Sequence, residues 1–442
     1  MSQKVLLLAV CAYLLGVPLV TSLNGLSIFF TGISSVGPLY HAGFSLFMIF
    51  LGLTNRRLRK NWLLIGTTFG LFTFLVLVQI LLGYSDLALF DLGQLYKWFM
   101  PILLFVIFYR WHYLAEPGAQ RLLISVFQNV PFIYSILVLL SAVTFFFFHF
   151  NPTLLPAGSL RFTGFSYGYN TTINSFFIAA YVNFILIPVS NRRKLYYGLA
   201  FIGLNSKSAI AYYALIGWSF FAGWWQRVNR LRRVGILILA SPVLVLFFWF
   251  GYNRTIRAVD SYGFYAKQGS VVDSDVLFQH ISDSRFTLWK YAMQDIPQWP
   301  IENIFLGNGK NIDRRVVSSL WWDLYGSRWF SNLEINKSTK GVELDLLGHL
   351  DLFGVLGTLW FVGIFYIYPL LKIRLPYSRL YFFFLILLSL FSGHVINNPQ
   401  TATLLVFLIL FLRNYRPSRM EMAQPAKYKT IDLLNRAALG KG

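Results

Sequence analysis

Apolar runs of membrane-spanning length alternate with short polar breaks along almost the whole chain. They fall near residues 4–23, 36–53, 62–83, 92–109, 122–149, 173–189, 195–225, 234–251, 350–371 and 380–413. About 20 apolar residues at a helical rise of ~1.5 Å cross the hydrocarbon layer of a bilayer, so each run predicts a membrane helix. Two runs are too long for one span, and each carries a polar interruption: "NSKS" at 205–208, and "SGHVINNPQ" at 392–400. Broken helices survive in a membrane where their freed backbone is buried in protein or lines a cavity. Each of these runs therefore predicts two short helices meeting at a polar bend. The count becomes about twelve transmembrane segments of an all-α polytopic membrane protein.

Charge orients this pattern. Basic clusters punctuate the apolar runs: "NRRLRK" (55–60), "NRRK" (191–194), "QRVNRLRR" (226–233) and "KIRLPYSR" (372–379), with a basic tail after Arg413. The positive-inside rule places these clusters, and with them both termini, on the cytoplasmic side. The run at 195–225 begins and ends at such clusters, so it has to turn back at its polar bend. Composition agrees: 56% of the 442 residues are hydrophobic, 12% are charged, and the mean hydropathy is +0.57. A net charge of +21 would suit nucleic acid, but its distribution in short clusters between spans argues against that partner. The lone Cys11 sits inside the first run, which excludes an intramolecular disulfide and a cysteine metal site. The N-terminal run lacks a small-residue cleavage signal and reads as the first span.

Four regions follow: an N-terminal part of the bundle (1–251), a large outer loop (252–348), C-terminal membrane helices (349–413) and a cytoplasmic tail (414–442). The outer loop is far longer than an ordinary connection, and loops of that size carry function. Stretches such as "SRFTLWKYAMQDI" give it helical periodicity.

Candidate chemistry gathers on the outer face. Arg161 lies in "RFTGFSYGYN", Lys207 at the "NSKS" bend and Arg285 in "DSRFTLW". Cations there run against the positive-inside bias, and an anion at headgroup level accounts for them. Arginine grips phosphate with a planar fork, and lysine adds a compact charge. A polyprenyl diphosphate suits such a set; a loop cation pairing with headgroups is the plainer alternative for Arg161 and Arg285. The acidic stretch "KGVELDLLGHLDLFGVLG" (340–357) carries Glu343, Asp345, His349 and Asp351. Acids in a first helical turn complement the helix dipole, which covers Glu343 and Asp345. A carboxylate or histidine near a cationic cluster can also act as general base, and spacing alone does not choose among them. Asp345 and His349 share a helix face, and Asp351 points away from both. Gly348, Gly354 and Gly357 read as helix-packing positions. There is no glycine-rich phosphate loop, no zinc-type His/Glu motif and no nucleophile elbow.

The spread of these motifs over roughly 155–400 resembles the O-antigen polymerases (Wzy-type) of the O-antigen ligase/polymerase superfamily. "RFTGFSYGYNTT" resembles the family's Arg–x–x–Gly segment followed by Asn, making Arg161, Gly164 and Asn170 the counterparts. "LNSKSAIAYY" resembles its Ser–Arg–Ser segment, with Lys207 where arginine is usual. "DSRFTLW" resembles the Arg–x–x–x–Trp segment of the outer loop, "NIFLGNGKN" the Gly–x–Gly turn at Gly307 and Gly309, and "VELDLLGHLDLFGVLG" the acid-rich start of the next helix.

The resemblance implies a membrane-embedded glycosyltransferase of the GT-C type with a large periplasmic loop. It would work on the periplasmic face of a bacterial inner membrane. Such enzymes move a growing glycan from undecaprenyl diphosphate to a new lipid-linked repeat unit, with inversion, without a metal or other cofactor. Glu343 or Asp345 would be the catalytic base; Arg161, Lys207 and Arg285 would hold the diphosphate. Asn170, His349, His394 and Asn397 would serve the acceptor. Partners would be undecaprenyl-diphosphate-linked oligosaccharide, membrane lipid and a chain-length regulator. The ligase branch has a histidine about eleven residues before the Gly–x–x–Gly, where this chain has Glu343, and that departure favours polymerase. A ligase, or a transporter of lipid-linked oligosaccharide, is the alternative; the long outer loop and the lack of visible repeats speak against a transporter.

Overall fold

A computed structural model describes residues 3–31, 36–55, 61–83, 89–148, 162–165, 169–187, 189–204, 293, 296–307, 345–375, 377–391, 395 and 398–415. Among the described residues the chain is mostly helical, without strands. Helix α1 is Gln3–Thr31, α2 Val36–Thr54, α3 Trp62–Leu81, α4 Leu89–Phe108 and α5 Pro117–Phe148. Helix α6, Tyr169–Ala180, runs on through a π-helical stretch, Tyr181–Leu186, and α7 is Asn191–Leu204. Helix α8 is the short Ile301–Leu306, α9 is Asp345–Lys372 with a π-helical stretch at Gly363–Ile367, α10 is Ser378–Phe391 and α11 is Pro399–Asn414. Helices α1, α3, α5 and α9 are long and apolar enough to cross a membrane, and α2, α4, α6, α10 and α11 contain shorter apolar stretches. Their outward residues include Phe30, Leu63, Leu81, Phe147 and Phe148, all strongly exposed, as a lipid-facing surface requires.

The chain divides into two compact units. One comprises Met1–Ile216, Phe305–Asn311 and Gly341–Gly442, and the other Gly217–Ile304 and Ile312–Lys340. In the second, the described residues include a short 3-10 turn, Ile296–Gln298, and α8 as far as Ile304. The first unit is a helical bundle in which α1 packs on α2 and α5, and α11 packs on α4 and α6. Helix α11 is apolar all round and is buried from Thr401 to Leu412, so it is the core helix of that unit.

Proline and glycine breaks are repaired by named side chains. Pro131 inside α5 has no N–H, which leaves the Phe127 carbonyl without its helical donor. The Asn183 amide donates to that carbonyl at 3.0 Å. The tyrosine hydroxyl of Tyr197 donates to the next carbonyl, Gln128, at 2.8 Å.

The second polar bend lies where the sequence predicts it: α10 stops at Phe391 and α11 starts at Pro399. Asn398 caps the new helix, its side chain accepting from the Gln400 N–H at 2.9 Å, and Pro399 occupies the first turn, where no amide partner is needed. Helix α7 is described as far as Leu204, and the "NSKS" bend predicted at 205–208 lies outside the described residues. The described part of α9 starts at Asp345.

One expectation is corrected. Gly354 is not simply a packing position in a continuous helix. It breaks α9, with φ 60° and ψ −167°, a conformation open essentially to glycine alone. The break frees backbone groups in a buried apolar setting, where they have to find partners inside the protein. The amide of Gln79 on α3, fully buried, donates to Leu352 O at 2.7 Å and to Leu306 O at 2.6 Å.

Candidate functional site

Asp345 opens α9 and is fully buried. Its Oδ2 accepts the Val395 N–H at 2.7 Å, tying the start of α9 to the bend between α10 and α11. Val395 is held from its other side as well: the Thr401 hydroxyl donates to its carbonyl at 2.7 Å. One turn along α9, the His349 ring donates through Nδ1 to the Asp345 carbonyl at 2.7 Å and lies edge-on against Phe361. A carbonyl only accepts, so this contact places a proton on Nδ1. His349 and Asp351 are buried as completely as Asp345, although Asp351 faces another way. The start of α9 is therefore enclosed by protein on more than one face.

The segment 162–165 is a second built element. Phe162, Thr163 and Gly164 are buried, and Gly164 and Phe165 both take positive φ, 66° and 63°. For Phe165 that is a strained backbone which its surroundings must enforce. The restraint is visible. The Ser22 hydroxyl on α1 donates to the Gly164 carbonyl, the Gly164 N–H donates to Ser141 Oγ on α5 at 3.2 Å, and the Phe162 N–H donates to Gly203 O at the end of α7 at 2.9 Å.

These contacts join into one path. Gly203 holds Phe162; Gly164 is held by Ser22; the neighbouring Thr21 hydroxyl donates to Gln400 Oε1 at 2.9 Å. Gln400 is followed by Thr401, which holds Val395, and Val395 is held by Asp345. The path links the residue after Arg161, the helix end four positions before Lys207, the residue after His394 and the start of the acidic helix. All of it lies in the first compact unit.

Of the residues predicted for the site, Asp345 and His349 are described and adjacent. Asn170 lies in the first turn of α6. Arg161, Lys207, Arg285, Glu343, His394 and Asn397 lie outside the described residues. The residues that fix the site's geometry and escaped the sequence reading are Thr21, Ser22, Gln79, Ser141 and Gln400. Their signal was available: each is a polar side chain inside or at the end of an apolar run, where an unpaired polar group is costly. Among the described residues no group of three or more His, Cys, Asp or Glu side chains could hold a metal ion.

An apolar cavity of about 260 Å³ lies beside the α9 break, lined by Phe72, Phe99, Leu306, Phe353, Trp360 and Phe361 among others. Compared with known proteins, the chain matches no family model and no curated sequence. Its function is therefore read from its residues and their placement.

Proposed function

We propose that this chain is a surface-polysaccharide polymerase of the inner membrane. It would be a GT-C-type glycosyltransferase with about twelve spans that transfers a growing glycan from undecaprenyl diphosphate to a new lipid-linked repeat unit at the periplasmic face. One observation carries the reading. Hydrogen bonds and chain neighbours run from Gly203 through Phe162, Gly164, Ser22, Thr21, Gln400, Thr401 and Val395 to Asp345, so residues next to two of the predicted cation patches, the second polar bend and the acidic segment belong to one network. A bundle that only spans a membrane does not need to tie the segment at Phe162–Phe165, the bend at Val395 and a buried acid to one another.

In this mechanism Arg161, Lys207 and Arg285 hold the donor diphosphate and stabilise the charge that grows on it as the glycosidic bond breaks. A carboxylate of the acidic segment, Glu343 or Asp345, takes the proton of the acceptor hydroxyl as that oxygen attacks the anomeric carbon from the opposite face. Inversion follows from a single displacement, and undecaprenyl diphosphate leaves. Asn170, His349, His394 and Asn397 line the acceptor side, and a chain-length regulator is the expected protein partner.

The test is reconstitution. Purified protein in detergent is incubated with undecaprenyl-diphosphate-linked repeat units and chelator, and the products are resolved on a gel. A ladder of lengths is the expected result. Glycosylation of an added lipid A core acceptor without a ladder would make the chain a ligase. Movement of labelled lipid across a reconstituted bilayer, with neither product, would make it a transporter and sink the catalytic reading.

A further inference from the structure

We propose that Asp345 is a positioning residue that fixes the backbone of the bend between α10 and α11 and is not the base; of the two carboxylates named for that role, Glu343 is then the one to test. The assignment of the base rests on the polymerase reading; the hold on the bend does not.

The geometry points this way. Val395 is the described centre of the break between Phe391 and Pro399, and it is fully buried. A bend at that depth cannot satisfy its peptide groups with water, so protein must supply the partners. The structure supplies both. The Asp345 carboxylate accepts the N–H at 2.7 Å, and the Thr401 hydroxyl donates to the C=O at 2.7 Å. A carboxylate accepting a backbone N–H makes one of the stronger hydrogen bonds available. Asp345 itself is held by its place in the first turn of α9, and His349 donates to its carbonyl. This is the arrangement of a fixed strut between two helices. A base needs the reverse: a carboxylate face open to an arriving hydroxyl, whereas Asp345 has no exposed surface.

The two roles separate in the Asn variant. The amide oxygen of Asp345→Asn still accepts the Val395 N–H but cannot take a proton. Three variants, Asp345→Asn, Asp345→Ala and Glu343→Gln, are compared with wild type by gel ladder, by pH–rate profile and by hydrogen exchange of the peptide containing Val395. Asp345→Asn is expected to keep turnover within a few fold of wild type, with the acid limb of the profile intact. Asp345→Ala is expected to speed exchange at the bend by about tenfold or more, as loss of a charged hydrogen bond implies, and to lose turnover with it. Glu343→Gln is expected to abolish the ladder while bend exchange stays at the wild-type rate.

If Asp345→Asn is as inactive as Glu343→Gln and its bend exchanges normally, Asp345 is the base and the proposal is overturned. Unchanged bend exchange in Asp345→Ala overturns it independently of any activity. Should Asp345→Ala not fold, Asp345→Ser keeps a polar first-turn residue whose shorter side chain gives up the Val395 N–H. It is expected to raise bend exchange, and a wild-type rate there would equally refute the strut. A wild type that makes no ladder defeats the polymerase reading alone, because exchange at the bend still decides the role of Asp345.

Discussion

Gly307 and Gly354 lie backbone against backbone: a Cβ on either residue would stand 2.5 Å from the nitrogen of the other. Both take positive φ, 84° and 60°. The segment after α8 can therefore reach the break in α9 only because neither residue carries a side chain, and the two glycines form a single junction.

Gly354→Ala is expected to lower stability by about 3 kcal/mol or more, from the forbidden backbone conformation and the overlap with Phe305 and Gly307 together. Thermal unfolding in detergent measures it. Gly66→Ala is the contrasting case. Gly66 lies inside α3 with open space around its Cβ position, so alanine there is expected to stabilise by roughly 0.5–1 kcal/mol.

Gln79 holds the same junction through two carbonyls. Gln79→Leu leaves Leu306 O and Leu352 O without this donor in a buried site, and the expected cost is ~2–4 kcal/mol. Gln79→Glu removes the donors and adds a buried charge, so its melting temperature should fall below that of Gln79→Leu. A melting temperature equal to wild type for either variant would show that the break does not depend on this amide.

The Ser22 hydroxyl restrains the Gly164 carbonyl, three residues after Arg161, which the proposed function assigns to the diphosphate. Ser22→Ala is expected to cost only ~1 kcal/mol of stability, typical of a single side-chain-to-backbone hydrogen bond. Its effect on turnover should be larger, about ten- to a hundredfold, because small misplacements of a charge-stabilising group are expensive in rate. Kinetics and melting on the same preparation separate the two effects.

Lys207 tests the diphosphate assignment. Lys207→Ala is expected to reduce turnover by about a hundredfold or more, and Lys207→Arg to retain most of it, since either cation stabilises the leaving charge. Equal activity in all three proteins would remove Lys207 from the site.

Among the described residues, hydrophobic pattern alone was enough to show that the chain is mostly helical, with apolar helices long enough to cross a membrane. Long continuous apolar runs in lipid pair their backbone groups within the segment as helix, and the polar "SGHVINNPQ" marks where the last run is interrupted. The break within "GVELDLLGHLDLFGVLG" was not legible, because Gly354 inside an apolar run looks the same whether it lets two helices approach or ends one of them. What decides is the arrival of Phe305–Gly307 from a segment some fifty residues earlier, and Gln79 from further still. The role of Asp345 followed the same course. Its charge and its place in a first turn could be read from the sequence, and they fit a dipole partner, a base or a strut equally well. Choosing among them needed the Val395 N–H, brought within 2.7 Å by a bend fifty positions away. Local sequence determines which backbone groups a helix break will leave unpaired. Only the tertiary fold determines which side chains are spent on satisfying them and which are left for chemistry.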